Sequence, residues 1–243
     1  MRSMDDPTGQ KKRTRHHQAK PLLITIDGPA GAGKTTVSRL LASQLGYLYV
    51  DTGALYRGVA LAAIQAGIQA DEDEKLATMC REMRLKLRVN GGDTHLLLNG
   101  TDVIDRIRTP EITMMASAVS ARPVVRKFLL QVQQELGAAK SAVFEGRDMG
   151  TVVFPHADVK FYLDAAPEVR ALRRYKEFEG QNSQTLAQVE TDMQRRDAND
   201  SQRNLAPLKP AADALCIDAT HLAIHQVVET MLAHITRISR ETA

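Results

Sequence analysis

The segment from Gly28 to Thr35 constrains the fold of this chain more than any other part of the sequence. It reads GPAGAGKT and matches the pattern G-x-x-x-x-G-K-[ST]. The apolar run 22–26 precedes it, and the helical pattern that follows has one apolar face, formed by Val37, Leu40, Leu41 and Leu45. A strand, a glycine-rich loop and a helix in this order form a P-loop, in which backbone N–H groups and the helix N-terminus bind phosphate. A glycine-rich turn that matches by chance is the alternative, and the strand, the helix, the Lys and the Thr together favour phosphate binding.

The P-loop motif gives two of its residues separate tasks. Lys34 can reach the β- and γ-phosphates of a nucleotide, and the Thr35 hydroxyl can ligate Mg²⁺. The candidate phosphate-binding residues are Gly28, Pro29, Ala30, Gly31, Ala32, Gly33, Lys34, Thr35 and Thr36. We therefore expect a nucleotide with at least three phosphates, and Mg²⁺, at this segment.

Length and composition describe one α/β domain with an aliphatic core. The chain has 243 residues, of which 43% are hydrophobic and 4% aromatic, with no Trp. This length suits one large domain or a main domain with a small insertion. The two cysteines, Cys80 and Cys216, have no metal-ligand spacing and suit a reducing compartment. With no signal peptide and no apolar run of membrane-spanning length, we expect a cytoplasmic protein without a membrane partner.

The positive charge of the chain is concentrated at its N-terminus. Residues 1–20 hold 6 of the 32 basic and 2 of the 29 acidic residues, so the rest has 26 basic and 27 acidic residues. This tail has too little apolar surface to order itself, and we expect it to be disordered. A basic arm that touches nucleic acid or another partner is the alternative. Because the body carries no excess of positive charge, we expect no nucleic-acid partner.

The remaining chain alternates between short apolar strands and helices. The predicted strands lie at 22–26, 47–50, 142–144, 159–164 and 215–218, with helices between them. This pattern predicts an α/β fold with a five-stranded parallel sheet and helices on both faces, and a site at the carboxyl ends of the strands. Alternating residues and the turn Asn90-Gly91-Gly92-Asp93 predict a small antiparallel insertion at about 85–107.

Four polar groups fall at the predicted strand ends or just beyond. They are the P-loop, Asp51-Thr52-Gly53 with Tyr56-Arg57, Gly146-Arg147-Asp148, and residues 195–203, interpreted as a charged segment between a helix and the last strand. The recurring arginines favour a second phosphorylated substrate, since guanidinium groups bind phosphate through paired hydrogen bonds. Some of them have other interpretations: Arg57 could be solvated, and Arg173 and Arg174 could face water or pair with Glu177.

These segments resemble the bacterial cytidylate kinases, of the nucleoside monophosphate kinase group. The resemblance extends from about Leu22 to about Glu229 and rests on residues 26–34, 51–57 and 146–155, on Arg196-Asp197 with Asp200 and Arg203, and on 206–208. The run GRDMGTVVFP at 146–155 is far more specific than the P-loop. The resemblance implies a P-loop kinase core over 21–243, with a monophosphate-binding region at about 53–125 that contains the insertion, and a short lid at about 170–203.

The resemblance also implies roles for individual residues. Arg57, Arg147 and Arg196 would bind the α-phosphate of the acceptor. Thr52, Ser117, Arg126 and Asp148 would surround the base, and Asp200 and Arg203 would reach the sugar or neighbouring phosphates. The lid would include or flank Arg170, Arg173, Arg174 and Arg196. The catalytic set would be Lys34, Arg147, Arg174 and Arg196.

The activity that the resemblance implies is transfer of the γ-phosphoryl group of ATP to CMP or dCMP, with Mg²⁺, by a monomer. Other small P-loop kinases, acting on AMP, UMP or shikimate, form one alternative. A GTPase-type switch is another, but it would need an N-K-x-D motif, and no Asn in the chain is followed by Lys.

Overall fold

The computed structural model describes residues 21–90, 93–177 and 184–241. The predicted disordered tail 1–20, the turn residues Gly91 and Gly92, and the polar break at 180–183 lie outside the described residues. In chain order the elements are β1 (Leu23–Asp27), α1 (Lys34–Leu45), β2 (Leu48–Asp51), α2 (Thr52–Gln65), α3 (Asp73–Glu82), β3 (Leu85–Asn90), β4 (Asp93–Leu98), β5 (Thr101–Asp102), α4 (Pro110–Val119), α5 (Pro123–Gly137), β6 (Ala142–Gly146), a one-turn π-helix (Met149–Val153), β7 (Val159–Asp164), α6 (Pro167–Glu177), α7 (Leu186–Gln202), β8 (Leu215–Asp218) and α8 (Ile224–Glu241).

Five of these strands form a parallel sheet in the order β2-β6-β1-β7-β8, which confirms the predicted α/β architecture. Strand β6 lies between β1 and β2, with Asp27 opposite Gly146 and Asp51 opposite Glu145. The carboxyl ends of these three strands therefore lie side by side. As a result, the P-loop, the start of α2 and the Arg147 loop all begin at one edge of the sheet.

Helices cover both faces of the parallel sheet, as the alternation of elements predicted. Ile24 and Ile26 point to one face, where they pack with apolar residues of α1 and α8. Leu23 and Phe144 point to the other face, where they pack with the π-helix and α5. Because β6 is buried along its whole length, its first three residues, 142–144, form a continuous apolar run in the sequence rather than an alternating pattern.

A second, antiparallel sheet contains β3, β4 and β5 in that order. The predicted insertion is present, and it has one strand more than the sequence pattern showed. Strand β5 has two residues and follows a turn in which Asn99 and Gly100 both adopt positive φ, at 50° and 87°. A two-residue strand is too short to produce an alternating pattern, so periodicity cannot reveal it.

The interpretation of residues 195–203 as a segment after a helix was wrong, because α7 continues to Gln202. A capping box between Thr185 and Gln188 starts this helix. Asn199 and Asp200 resemble a turn signal, yet Asp200 is buried and its carboxylate is paired with arginine. Tertiary contacts therefore override the local preference of these residues for a helix end.

Candidate active site

The P-loop leaves β1 at Gly28 and enters α1 at Lys34. Gly28 has φ 149°, and a Cβ there would lie 2.0 Å from the carbonyl oxygen of Leu163 in the neighbouring strand, so no side chain fits. Gly33 caps the helix in the left-handed conformation, with φ 94°. The loop therefore curls over the start of α1, where free N–H groups and the helix dipole favour an anion.

Lys34 lies buried beneath this loop and points back across it. Its Nζ donates to the carbonyl oxygen of Pro29 at 2.6 Å. Burial, together with the charges of Arg147 and Arg196, lowers the Lys34 pKa well below its ordinary value, although Glu145 opposes the shift. A phosphate dianion at this position would offset the crowding of positive charge.

The Glu145 carboxylate lies next to the first turn of α1. Its Oε1 accepts hydrogen bonds from the Thr35 hydroxyl at 2.9 Å and the Tyr49 hydroxyl at 2.7 Å. Its Oε2 is buried without a partner. Burial and the nearby Asp51 carboxylate raise the Glu145 pKa, with Lys34 opposing. The described residues contain no group of three acidic, His or Cys side chains that could hold a metal. A cation here would therefore need phosphate oxygens besides Thr35 and Glu145.

Arg57 is oriented by the residue that starts its own helix. The Asp51 Oδ1 accepts from the Ala54 N–H at 3.0 Å and so caps α2. The Asp51 Oδ2 accepts from the Arg57 Nη2 at 2.8 Å. Arg57 is therefore half-buried and paired rather than solvated, and its Nε is buried without an acceptor. Thr52, the first residue of α2, donates its hydroxyl hydrogen to the Glu145 carbonyl oxygen at 2.7 Å.

Arg147 and Arg196 extend the cationic cluster beyond Lys34. The Arg147 Nε donates to Asp200 Oδ2 at 2.9 Å. Arg196 has no hydrogen-bond or ion-pair partner among the described parts of the chain. Burial and the charge of Arg147 lower the Arg196 pKa to about 10, with smaller contributions from Arg174 and Arg57. These guanidinium groups and the Lys34 ammonium thus repel one another, and an anion bound among them would relieve this repulsion.

Asp148 forms a buried group with two arginines, Arg126 and Arg203, and Arg203 Nη1 also lies 3.8 Å from Asp200 Oδ1. The Asp148 Oδ2 accepts from Arg126 Nη2, and the Asp148 Oδ1 accepts from Arg203 Nη2 at 3.4 Å. The Tyr56 hydroxyl belongs to the same group, because the charges of Arg126, Asp148 and Arg203 all act on its pKa. Burial raises this pKa to about 12, and Arg126 opposes the shift. Arg203 is held in turn by the Ala206 carbonyl oxygen, to which its Nε donates at 2.6 Å.

Comparison with known proteins identifies the group to which this arrangement belongs. The sequence model described as Cytidylate kinase matches residues 24–237. The chain belongs to the cytidylate kinase family. It is 49% identical over 218 residues to the cytidylate kinase of Syntrophotalea carbinolica, covering 88% of this chain and 91% of that protein. It is 46% identical over 222 residues to the cytidylate kinase of Geobacter sulfurreducens, covering 91% and 95%.

A solved structure supports the fold of this family member. The crystal structure of an uncharacterized protein from Eubacterium ventriosum matches with a TM-score of 0.50 at 12% identity, covering 90% of this chain and 99% of that one. At this identity the match concerns the fold alone. Membership of this family means that the protein is a phosphotransferase and that its substrates are nucleotides.

The arginines that the family resemblance assigned to the lid differ in their contacts. Arg170 donates to the carbonyl oxygens of Ala165 and Ala30, at 2.9 and 3.0 Å. Arg173 donates to the Ala219 carbonyl oxygen at 2.7 Å, so it does not simply face water. Arg174 pairs with Glu177 at 2.9 Å, which was one of its two predicted alternatives. Arg174 of α6 and Arg196 of α7 belong to the shared cationic cluster.

Ser117 is the candidate least connected to the other site residues. It lies on α4, where its carbonyl oxygen accepts from the Ser120 hydroxyl at 2.7 Å, and its side chain has no hydrogen-bond partner among the described residues. The Ser120 carbonyl oxygen in turn accepts from Arg126 Nη1 at 3.3 Å. Ser117 is thus connected to the Asp148 group indirectly, through Ser120, the C-cap residue of α4.

The sequence analysis assigned no role to Glu145 or Asp27, and it named Tyr56 only as a member of a polar group. Asp27 accepts hydrogen bonds from the N–H groups of Met149 and Gly150, at 2.9 and 2.7 Å, and connects β1 to the π-helix. Asp27 and Glu145 are carboxylates at the ends of buried strands, where an unpaired charge would be costly. A charged residue at the end of a strand that is predicted to be buried is the sequence signal that could have identified Asp27 and Glu145.

Proposed function

We propose that this protein transfers the γ-phosphoryl group of ATP to CMP or dCMP, producing ADP and CDP or dCDP. The observation that carries the proposal is the position of Arg196. Its guanidinium shares one region with Arg147, Arg57 and Lys34, and it has no hydrogen-bond or ion-pair partner among the residues that the structure describes, although the charge of Asp200 also acts on it. The P-loop accounts for one polyphosphate, and the additional arginines supply charge for a second phosphorylated ligand.

The acceptor needs no general base from the protein. Its attacking group is a phosphate monoester, which is already an oxyanion near neutral pH. Catalysis then consists of aligning two phosphates and neutralising the charge that spreads over the γ-phosphoryl oxygens. Lys34, Arg147, Arg174 and Arg196 supply this neutralisation.

The residues around the first turn of α1 fit a Mg²⁺ ion. Mg²⁺ prefers oxygen ligands and is usually held by one or two carboxylates together with substrate phosphates. Thr35 offers a hydroxyl, and Glu145 offers a buried carboxylate oxygen without a partner. Thr35 and Glu145 would hold the ion, directly or through water, and the ion would neutralise phosphate charge when bound.

Base selection is assigned to the Asp148 group. A carboxylate accepts a hydrogen bond from the exocyclic amine of cytosine, whereas uracil presents a carbonyl oxygen at that position. Arg126 and Arg203 hold the two carboxylate oxygens from different sides, which fixes the orientation of the group before a base arrives. Thr52 and Ser117 would complete the surroundings of the base, and Asp200 and Arg203 would reach the sugar.

We assign the monophosphate-binding region to about 53–125 and the lid to about 170–203. The lid would exclude water from the transferring phosphoryl group and so limit hydrolysis of ATP. Its two arms would be α6 and α7, from which Arg174 and Arg196 approach the cationic cluster.

We also propose that the protein acts as a monomer in the cytoplasm. All the residues assigned to the reaction come from one chain, so the chemistry requires no second copy. None of the described helices combines the length and apolarity needed to cross a membrane. Sedimentation velocity at micromolar concentration tests the monomer, and a dimeric species would contradict it.

A substrate comparison tests the proposed reaction. ADP formation is followed with ATP and Mg²⁺ and with CMP, dCMP, UMP, AMP or shikimate as acceptor, at matched concentrations. We expect CMP or dCMP to give the highest kcat/KM. Faster turnover of AMP, UMP or shikimate would replace the proposal by the corresponding P-loop kinase.

A further inference from the structure

Two charged side chains hold both backbone polar groups of one P-loop residue, Ala30. Asp197 Oδ1 accepts a hydrogen bond from the Ala30 N–H at 3.3 Å. Arg170 Nη1 donates to the Ala30 carbonyl oxygen at 3.0 Å. Arg170 and Asp197 are also paired with each other. The tip of the P-loop is thus fixed between α6, which carries Arg170, and α7, which carries Asp197.

The surrounding contacts leave the P-loop little freedom to move independently of these helices. Arg170 is buried, and its Nε donates to the Ala165 carbonyl oxygen at the end of β7. Gly31 has φ 73°, and a Cβ there would lie 2.7 Å from the Arg170 carbonyl oxygen and 2.7 Å from Met193 Cε on α7. A small apolar cluster fills the remaining space and contains Ala30, Ala171, Val189 and Met193.

The same part of α7 also reaches the cationic cluster that contains Lys34, Arg147 and Arg196. Arg196, the residue before Asp197, approaches Arg147, and Asp200 accepts from Arg147 Nε at 2.9 Å. Neighbouring residues of an α-helix point about 100° apart, so one turn can serve two sites. Helix α7 therefore touches the P-loop through Asp197 and the acceptor side through Arg196 and Asp200.

We propose that Arg170 and Asp197 are positioning residues that couple nucleotide binding at the P-loop to acceptor binding beside α7. A ligand that orders the P-loop would place α7, and thereby Arg196 and the Arg147–Asp200 pair, for the acceptor phosphate. Coupling of this kind is reciprocal, so CMP would strengthen the binding of ATP by the same factor. The inference rests on the proposed function, because it takes CMP as the acceptor.

Calorimetric titration with CMP, with and without a non-hydrolysable ATP analogue plus Mg²⁺, measures the coupling directly. In the wild-type protein we expect the analogue to strengthen CMP binding by about fivefold or more. In Asp197→Asn the factor should fall below about twofold, since an amide cannot pair with Arg170 as a carboxylate does. Asp192→Asn is the matched control, because Asp192 lies on α7 but pairs with Arg195 at the surface. In Asp192→Asn the analogue should strengthen CMP binding by the same factor as in the wild-type protein.

Several results would overturn the inference. Wild-type coupling in Asp197→Asn would do so, as would no coupling in the wild-type protein, or an equal loss in the Asp192 control. If Asp197→Asn does not fold, Arg170→Lys is titrated instead, since an ammonium cannot reproduce the planar fork. Failure of both variants to fold would show that Arg170 and Asp197 have a purely structural role, and this too would overturn the inference.

A different result would count against the proposed function. If the wild-type protein binds the analogue but neither binds nor phosphorylates CMP, the proposed function fails. The coupling is then measured with the acceptor that the substrate comparison identifies.

Discussion

Arg147 donates from Nε to Oδ2 of Asp200 at 2.9 Å and so joins the loop after β6 to the C-terminal part of α7. The family resemblance assigned both residues to the substrate, Arg147 to the acceptor phosphate and Asp200 to the sugar or neighbouring phosphates. Their mutual bond orients the guanidinium before any ligand arrives. An arginine oriented in this way loses less side-chain freedom when it binds phosphate.

Removal of Lys34 tests the charge neutralisation at the P-loop. We expect Lys34→Ala to lower kcat on the order of 10³-fold or more, because a phosphate-stabilising cation is lost from a buried site. Steady-state assays with saturating ATP and CMP measure the change. Lys75→Ala is the control, because Lys75 is exposed and pairs only with Glu72 at the surface. A Lys34→Ala enzyme with nearly normal kcat would contradict the assigned role.

Replacement of Asp148 tests base selection. In Asp148→Asn the amide N–H can donate to the carbonyl of uracil, and only one oxygen remains to accept from Arg126 and Arg203. We expect the ratio of kcat/KM for CMP to that for UMP to fall by about 10- to 100-fold. Asp105→Asn, at an exposed position, should leave the ratio unchanged. An unchanged ratio in Asp148→Asn would assign base selection to other residues.

Replacement of Glu145 tests its proposed part in holding Mg²⁺. We expect Glu145→Gln to raise the Mg²⁺ concentration needed for half-maximal activity by about 10-fold or more, since the carboxylate charge is lost. Tyr49→Phe is the matched variant, because it removes one hydrogen bond to Glu145 and leaves the carboxylate. Its Mg²⁺ requirement should change less than about threefold. Equal effects of the two variants would mean that Glu145 acts through its hydrogen bonds and not its charge.

The raised pKa of Asp27 predicts a pH-dependent contribution to stability. Burial raises this pKa from 3.8 to about 6, although the Gly150 and Met149 N–H groups oppose the shift. The folded state therefore binds the proton more tightly than the unfolded state. The contribution of Asp27 is fully present below pH 3.8 and is lost as the pH rises to about 6.

Urea unfolding of the wild-type protein and of Asp27→Asn, between pH 4 and 7.5, measures this effect. The free energy of unfolding of the wild-type protein, relative to the variant, should fall by about 2 kcal/mol as the pH rises through this window. Most of the change should lie below pH 6. A constant difference would show that Asp27 has an ordinary pKa in the folded protein.

The N-terminal tail can be tested by deletion. We expect a chain without residues 1–20 to phosphorylate CMP at an unchanged rate, because every assigned site residue lies beyond Pro21. The coupled kinase assay, run beside the full-length chain, measures this. A collapse of activity would show that the basic arm takes part in substrate binding.

Much of the fold was predictable because its signals are local. The apolar run before Gly28, the glycines and Lys34 lie within a few residues of one another, and they specify the strand, loop and helix together. The five core strands were also identified in sequence, since burial on both faces produces short continuous apolar runs. The full length of α7 was not predicted, because the ion pair with Arg147, which helps to offset the poor helix propensity of Asp200, comes from a residue distant in the chain.

The candidate site, like the fold, was predictable from the sequence only in part. The residue types and the motifs 28–35 and 146–148 were sufficient to expect a phosphate-binding loop and a second anion site. No local pattern shows that Arg170 and Asp197 hold Ala30, that Glu145 accepts from Thr35, or that Arg173 donates to main-chain oxygens. The sequence by itself determined the chemistry available, because side-chain type and spacing define what each segment can bind. The tertiary structure alone decided which charges meet, because β6 lies between β1 and β2 and brings distant strand ends to one edge of the sheet.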